Sequence, residues 1–354
     1  MFNKIIFSSL IVLGALTMTK AQTGQRWTAE KANAWYKANP WAVGANFIPS
    51  TAINQLEMWQ KETFDPATID KELGWAEGIG FNTMRVFLHS LAWKQDAAGL
   101  KKRMNEYLSI ADKHHIKTIF VFFDDCWNKV PAAGLQPTPK PGIHNSGWVQ
   151  DPGDPMSKDA ANFPMLEKYV KDILTSFATD KRILFWDLYN EPGNSGKRFN
   201  SIPLVKNVFT WARKVTTTQP VSIGVWAWDL DSLNTIQIQN SDIITYHDYE
   251  DPAWHQRVID MLKMTGRPLI CTEYMARSRN SRFGNILPLL KKENVGAINW
   301  GLVAGKSNTI YAWDTPLPDG SEPKEWFHDI FRADGAIYKK EETDSIKALT
   351  LPKR

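Results

Sequence analysis

Eight times along this chain an apolar segment rich in β-branched and aromatic residues gives way to an amphipathic one, and that alternation restricts the fold more than any other feature. The strand candidates are Ala42 to Ile48, Thr83 to Leu88, Lys117 to Phe123, Ile183 to Tyr189, Val221 to Trp226, Ile243 to Tyr246, Pro268 to Thr272 and Ala297 to Leu302. Helical patterns separate most of them: Pro66 to Glu77, Leu100 to His114, Asn162 to Phe177, Ile202 to Val215 and Pro252 to Met264, with apolar residues three and four apart. Pro66 and Pro252 follow Asp65 and Asp251, which are placed to cap the first turns. Parallel strands need helical crossovers, and a closed sheet leaves no edge to protect. The pattern therefore predicts an α/β fold, a single (β/α)8 barrel of the TIM type. A doubly wound open sheet is the alternative, but it needs a glycine-rich turn after its first strand. Gly44-Ala45-Asn46-Phe47-Ile48-Pro49 does not supply one.

No break in composition divides the chain, so residues 22–354 read as one domain behind a short leader. That leader, residues 1–21, carries Lys4, the apolar run Ile5 to Met18 and then Thr19-Lys20-Ala21, the pattern of a cleavable secretory signal. The run is too short to span a bilayer comfortably. A soluble protein exported to the periplasm or beyond is expected, with no membrane span. Cys126 and Cys271 are the only cysteines, which excludes a disulfide framework and a cysteine-rich zinc site. The formal net charge of +4 is spread along the chain, and its basic runs, Lys101-Lys102-Arg103 and Lys339-Lys340, have acidic neighbours on apparent helices. They read as solvated faces, and no nucleic-acid partner is expected. The sixteen tryptophans are about three times ordinary usage. Most should fill the core, and those at strand ends are available to stack on sugar rings.

Two carboxylates end two of the apolar strands. Ile183 to Tyr189 runs into Asn190-Glu191-Pro192, and Pro268 to Thr272 runs into Glu273-Tyr274. In a barrel these ends lie on the face where active sites are built. Such a pair cleaves a glycosidic bond when one carboxyl protonates the leaving oxygen and the other attacks the anomeric carbon, about 5 to 5.5 Å away across the substrate. The longest irregular stretch, Asp124 to Asp159, follows the third strand and should shape the same face.

Trp186-Asp187-Leu188-Tyr189-Asn190-Glu191-Pro192 resembles the acid/base signature of clan A glycoside hydrolases, most closely family 5, and Thr272-Glu273-Tyr274 resembles the clan's nucleophile strand. The resemblance runs from the first strand to the eighth. It implies a retaining β-glycosidase with Glu191 as acid/base and Glu273 as nucleophile. It further implies that Arg85, on the second strand, braces the nucleophile, where a guanidinium would keep a carboxylate ionised. Asn190 would bond the sugar 2-hydroxyl. Tyr249 and His247, two apart on the sixth strand, would donate to the nucleophile and contact sugar hydroxyls. Trp300 would form the floor beneath the sugar being cleaved. By strand alternation His89 points the same way as Arg85. Asn190 and Glu191 cannot both point inward on a regular strand, so irregular backbone is expected there. The third strand departs from the family, ending Phe123-Asp124-Asp125-Cys126-Trp127 where a histidine is common. Asp124 or Asp125 there is placed either to bind a sugar hydroxyl or to cap the loop. Tyr311 and Trp313, after the eighth strand, are placed either to cover the substrate or to pack.

A metal-dependent hydrolase would need a histidine cluster at strand ends, and none is present, so neither metal nor cofactor is expected. A silent glycan-binding barrel and a transglycosylase using the same intermediate are the other readings. The expected partner is a β-linked glucose, mannose or xylose oligo- or polysaccharide, bound by a monomer.

Overall fold

The computed structural model describes residues 24–352; the leader segment 1–21 lies outside them. Eight parallel strands form the sheet: β1 (Val43–Asn46), β2 (Thr83–Phe87), β3 (Lys117–Asp124), β4 (Ile183–Asn190), β5 (Val221–Ser222), β6 (Ile244–His247), β7 (Leu269–Glu273) and β8 (Gly296–Asn299). Their order is β5-β4-β3-β2-β1-β8-β7-β6. The ring closes between β5 and β6 through one parallel bridge, Val225 to Tyr246, with Val225 N–H on Thr245 O at 3.0 Å. β5 is shorter than its apolar run because the Ile223 N–H is taken by the Ser241 hydroxyl at 3.0 Å, outside the ladder.

The helices fall between strands as the periodicity requires, among them Pro66–Gly78, Ala97–Lys113, Phe163–Ser176, Ile202–Arg213 and Pro252–Lys263. Asp65 caps Thr68 N–H at 3.0 Å and Asp251 caps Trp254 N–H at 2.9 Å. Each satisfies a donor that an uncapped first turn leaves orphaned, worth about 1 kcal/mol. Several helices lie outside the five named from the sequence, among them Asp231–Asn240 and Ile286–Lys292 between strands and one each before β1 and after β8. Ala29–Lys37 comes from the stretch read only as polar, and Lys340–Thr350 follows β8. The first buries Ala32 and brings Trp35 and Tyr36 against an apolar cluster of Ile119, Phe185, Ile243, Ile270 and Ile298. That cluster plugs one end of the barrel, where each buried side chain contributes about 1.5–3 kcal/mol.

Strand alternation turns the next inward positions polar. Two residues beyond Phe185 comes Asp187, and two beyond Ile270 comes Thr272; with Asn46 and Arg85 they are buried. One further step up, Phe87, Val121, Cys126, Trp148 and Trp300 cluster at the mouth. The barrel is therefore apolar at one end and polar at mid-height, with aromatic residues where the functional side chains emerge. Cys126 and Cys271 are both buried and unbridged.

Candidate active site

β4 remains paired through Asn190, which is in register with Asp124 of β3. The next residue, Glu191, has φ 44°, and Gly193 has φ 92°. An L-residue rarely adopts this left-handed conformation, and here it lets two consecutive side chains reach the same cavity. Asp125 secures the turn. Its carboxylate is fully buried and accepts from Gly193 N–H (2.7 Å), Ser201 Oγ (2.5 Å), Lys197 Nζ (2.6 Å) and Tyr189 OH (2.8 Å). With its acceptor sites occupied, Asp125 acts as the loop cap and does not face a ligand. Asp124 is likewise engaged. It accepts from Asn190 Nδ2 at 2.9 Å, Trp148 Nε1 at 2.6 Å and Cys126 N–H at 2.9 Å, and burial lifts it to about 7.

Glu273, the last residue of β7, follows a register shift against β6 and accepts from Arg85 Nη1 at 2.9 Å and from the Tyr249 hydroxyl at 2.8 Å. The guanidinium is itself fixed by Asp187 (Nη2 at 2.8 Å), by Asn46 (2.8 Å) and by Asn190 Oδ1 (2.7 Å). Across from it, Glu191 meets only neutral donors: Cys126 Sγ at 3.2 Å, Asn194 Nδ2 at 2.5 Å and His247 Nδ1 at 2.8 Å. Burial presses the His247 imidazole down to about 4, so the ring is neutral at pH 7. The same Nδ1 stands 3.5 Å from Glu273. One oxygen of each carboxylate and a ring nitrogen of His247 lie within 4.8 Å of one another. Three donors at that spacing can surround a divalent cation, but Arg85 already supplies positive charge to the same carboxylate. Burial raises both carboxyls above their ordinary range; His247 and Arg85 offset this for Glu273, while the charge of Glu191 adds to it.

These groups open into a cavity of about 740 Å³ lined by Trp127, Trp148, Trp226, Trp228, Trp254, Trp300 and Trp313 among others. A volume of this size suits a ligand, and seven aromatic faces suit sugar rings. The long loop after β3 lines it through Cys126, Trp127, His144, Asn145 and Trp148. Trp300 is 9% exposed, with Phe87 and Trp148 set edge-on to its ring at centroid distances of 5.8 and 5.6 Å.

Of the residues singled out in the sequence, Glu191, Glu273, Arg85, Asn190, His247, Tyr249 and Trp300 converge on this cavity. His89 does not. β2 ends at Phe87, and the His89 ring accepts Leu91 N–H at 3.1 Å as the cap of helix Ser90–Gln95. Strand alternation had been carried two residues beyond the strand. Tyr311 turns away and donates to Gly320 O at 3.1 Å, whereas Trp313 lines the cavity. Sequence reasoning missed Cys126, Asn194, His144, Asn145 and the aromatic trio Trp226, Trp228 and Trp254. Only the alternate spacing of Trp226 and Trp228 beyond β5 offered a signal.

The family model for cellulase (glycosyl hydrolase family 5) matches residues 66–306. No curated protein sequence matches the chain significantly. Solved structures do. The endo-1,4-β-D-mannanase of Thermotoga petrophila RKU-1 is 14% identical with a TM-score of 0.55, over 87% of this chain and 99% of that one. The endo-1,4-β-mannanase of Rhizomucor miehei is 13% identical with a TM-score of 0.58, over 88% and 94%. A GH5_18 variant from Streptomyces cattleya in complex with Manβ1-4GlcNAc is 10% identical with a TM-score of 0.58, over 88% and 80%. At such identities the likeness shows a shared barrel.

Proposed function

This chain belongs to glycosyl hydrolase family 5, and from that premise we propose that it is an exported retaining β-glycosidase with Glu273 as nucleophile and Glu191 as acid/base. The observation that carries this reading is the carboxylate spacing. Retaining enzymes hold their pair about 5–5.5 Å apart, whereas inverting ones need about 6.5–9.5 Å to admit a water. Here the facing oxygens lie within 4.8 Å.

The surroundings assign the roles. Only one negative charge is comfortable in so small a buried space, and the Arg85 guanidinium and Tyr249 hydroxyl draw it to Glu273. Glu191, held by neutral donors, keeps the proton. In the first step a Glu273 oxygen bonds to the anomeric carbon as the bond to the leaving oxygen breaks, and the Glu191 proton passes to that oxygen. In the second, Glu191 takes a proton from water, whose oxygen bonds to the anomeric carbon and displaces Glu273. Asn190 supports the reaction at the 2-hydroxyl: its Oδ1 is taken by Arg85 and one Nδ2 hydrogen by Asp124, and the second, held only by a long contact to Cys126 Sγ at 3.8 Å, donates to the sugar. Trp300 is the floor for the reacting sugar, and His247, neutral and shared between the carboxylates, keeps them apart.

The substrate class is a β-linked glucose, mannose or xylose glycan, and the apolar run Ile5 to Met18 supports export. Proton NMR of the first minutes of hydrolysis tests the mechanism. The β-anomer is expected first, and an α-anomer appearing first overturns the role given to Glu273.

A further inference from the structure

The cavity is open on one side and walled on the other. Its lining comes from the turns after β3 to β8, and among the described residues none from the turns after β1 or β2 reaches it. Those two turns are covered. The loop after β3 folds across them and bonds to the loop after β8: Asn145 N–H to Ser307 O at 2.9 Å, His144 Nδ1–H to Tyr311 O at 2.9 Å and Leu317 N–H to Gly142 O at 2.9 Å. Underneath, Gly147 lies so close to Ile53 of the first turn that a Cβ would stand 2.3 Å from its methyl group. No side chain but hydrogen fits there, so the loop is pressed onto the rim.

Which side is walled depends on the roles assigned above. The leaving group sits against Glu191, on the side of Asn194, Trp226 and Trp254, where among the described residues the loops are bonded to their immediate neighbours, Trp226 Nε1 to Pro192 O at 3.0 Å and Arg198 to Asp229 at 2.9 Å. Whatever is attached to the far end of the sugar on Trp300 extends the other way. There Trp148 stands against Trp300 at a centroid distance of 5.6 Å, and Asn145 and His144, three and four residues before it in the chain, line the same cavity.

The wall also presents acceptors. Asn145 is 2% exposed and held at φ 46°, and its Oδ1 has no hydrogen-bond partner among the described residues. His144 donates through Nδ1 to a carbonyl, which fixes its tautomer and leaves Nε2 as an acceptor. Burial holds that ring down to about 4, so it stays neutral. The Asn145 oxygen is sealed from solvent, whereas His144 lines the cavity and its Nε2 has no partner among the described residues, so a hydroxyl hydrogen can satisfy it.

We infer that the cavity is a blind pocket for the non-reducing end of a β-glycan, and that the enzyme removes single terminal sugars, with His144 Nε2 reading the free terminal hydroxyl. This rests on Glu191 being the acid. In a 1,4-linked chain the terminal sugar alone has a free 4-hydroxyl; an internal sugar has no hydrogen there to donate, and its next ring has nowhere to go.

The test uses cello-, manno- and xylopentaose tagged at the reducing end, each with and without a 4-O-methyl cap on the non-reducing sugar, beside the 4-nitrophenyl β-monoglycosides. The cleaved pentaose should give tagged tetraose and monosaccharide first. Its capped form should react roughly 10⁴-fold more slowly, as sites built to bond a hydroxyl discriminate by such factors. His144→Phe, which keeps a ring but removes the acceptor, should lower kcat/KM on the uncapped chain about tenfold, the worth of one hydrogen bond. Cleavage of the capped chain at the uncapped rate, or a tagged di- or trisaccharide as first product, overturns the blind pocket while leaving the catalytic pair in place. No turnover of any pentaose or nitrophenyl glycoside overturns the catalytic reading and this inference with it.

Discussion

Glu273 and Glu191 face one another across the cavity, yet they are held by different kinds of structure. Glu273 is still paired within the sheet, at the end of β7 just past a register shift, and its partners Arg85 and Tyr249 come from β2 and from the residues just beyond β6. Glu191 sits past the end of β4 in left-handed backbone, and its Cys126 and Asn194 partners come from loops. One carboxylate faces a buried cation and the other faces dipoles. A fixed charge beside Glu273 favours its ionised form, whereas neutral donors leave Glu191 free to carry a proton and give it up. The difference in scaffold is thus also a difference in chemistry.

The sharpest way to break this comparison is to remove each carboxylate in turn. Either Glu273→Ala or Glu191→Ala should lower kcat by roughly 10⁴-fold or more on natural glycosides, since members of one catalytic unit fail together. With an activated aryl glycoside and azide the two part company. In Glu191→Ala the covalent intermediate still forms, and azide attacking opposite Glu273 gives the β-glycosyl azide. In Glu273→Ala azide attacks the substrate itself and gives the α-glycosyl azide. The reverse pattern exchanges the two assignments.

Arg85 sharpens the comparison on the Glu273 side. Arg85→Ala should cost about 10²–10³ in kcat, the scale for losing one preorganised electrostatic partner. Its positive charge lowers the Glu273 carboxyl, so its loss raises that group further above the ordinary range. The acid limb of the pH–rate profile, where Glu273 gains a proton, therefore moves to higher pH. Because Asp187 is left buried without its partner, the variant should also unfold about 3–5 kcal/mol more easily, measurable as a urea midpoint. An unmoved acid limb in the folded variant would confine Arg85 to pairing with Asp187.

The same division governs what the sequence made legible. A period of two related Arg85 to His89 on one strand, but the family resemblance was what pointed Arg85 inward, and both carboxylates, legible as strand ends, lie where the alternation breaks: Glu273 after a register shift and Glu191 in left-handed backbone. Helix starts at Pro66 and Pro252 were legible because a cap is a local interaction. The alternation fails as soon as the strand does: His89, counted inward by the same rule, caps a helix instead. Asp125 could be either a ligand or a cap in sequence, and only Gly193, Lys197 and Ser201, some 70 positions on, decide it. Cys126, His144 and Asn145 had no periodicity to reveal them: Cys126 is placed by Asp124 and Glu191, and the other two by a His144 side-chain bond and an Asn145 backbone bond to a loop more than 160 residues later. The helix Ala29–Lys37 was hidden because it buries only Ala32 fully.

Cys126 gives the smallest and most specific test, on the Glu191 side. Its thiol, just past the end of β3, donates to Glu191 Oε2 at 3.2 Å. Burial and the surrounding carboxylates push the thiol well above its ordinary range, so it stays protonated and remains a donor. A donor to a carboxylate favours the ionised form, and the thiol accordingly lowers the Glu191 carboxyl against the rise that burial imposes. In Cys126→Ala that offset disappears and Glu191 holds its proton to higher pH. The alkaline limb of kcat/KM, which reports the acid in the free enzyme, should then move upward. Turnover near pH 7 should fall less than tenfold, since sulfur makes a weak hydrogen bond. Cys126→Ser restores a donor, and a stronger one, so its alkaline limb should return to the wild-type position or below. A thiol that merely fills space would give the opposite ordering of evidence: both variants would lose stability, and neither would move the limb.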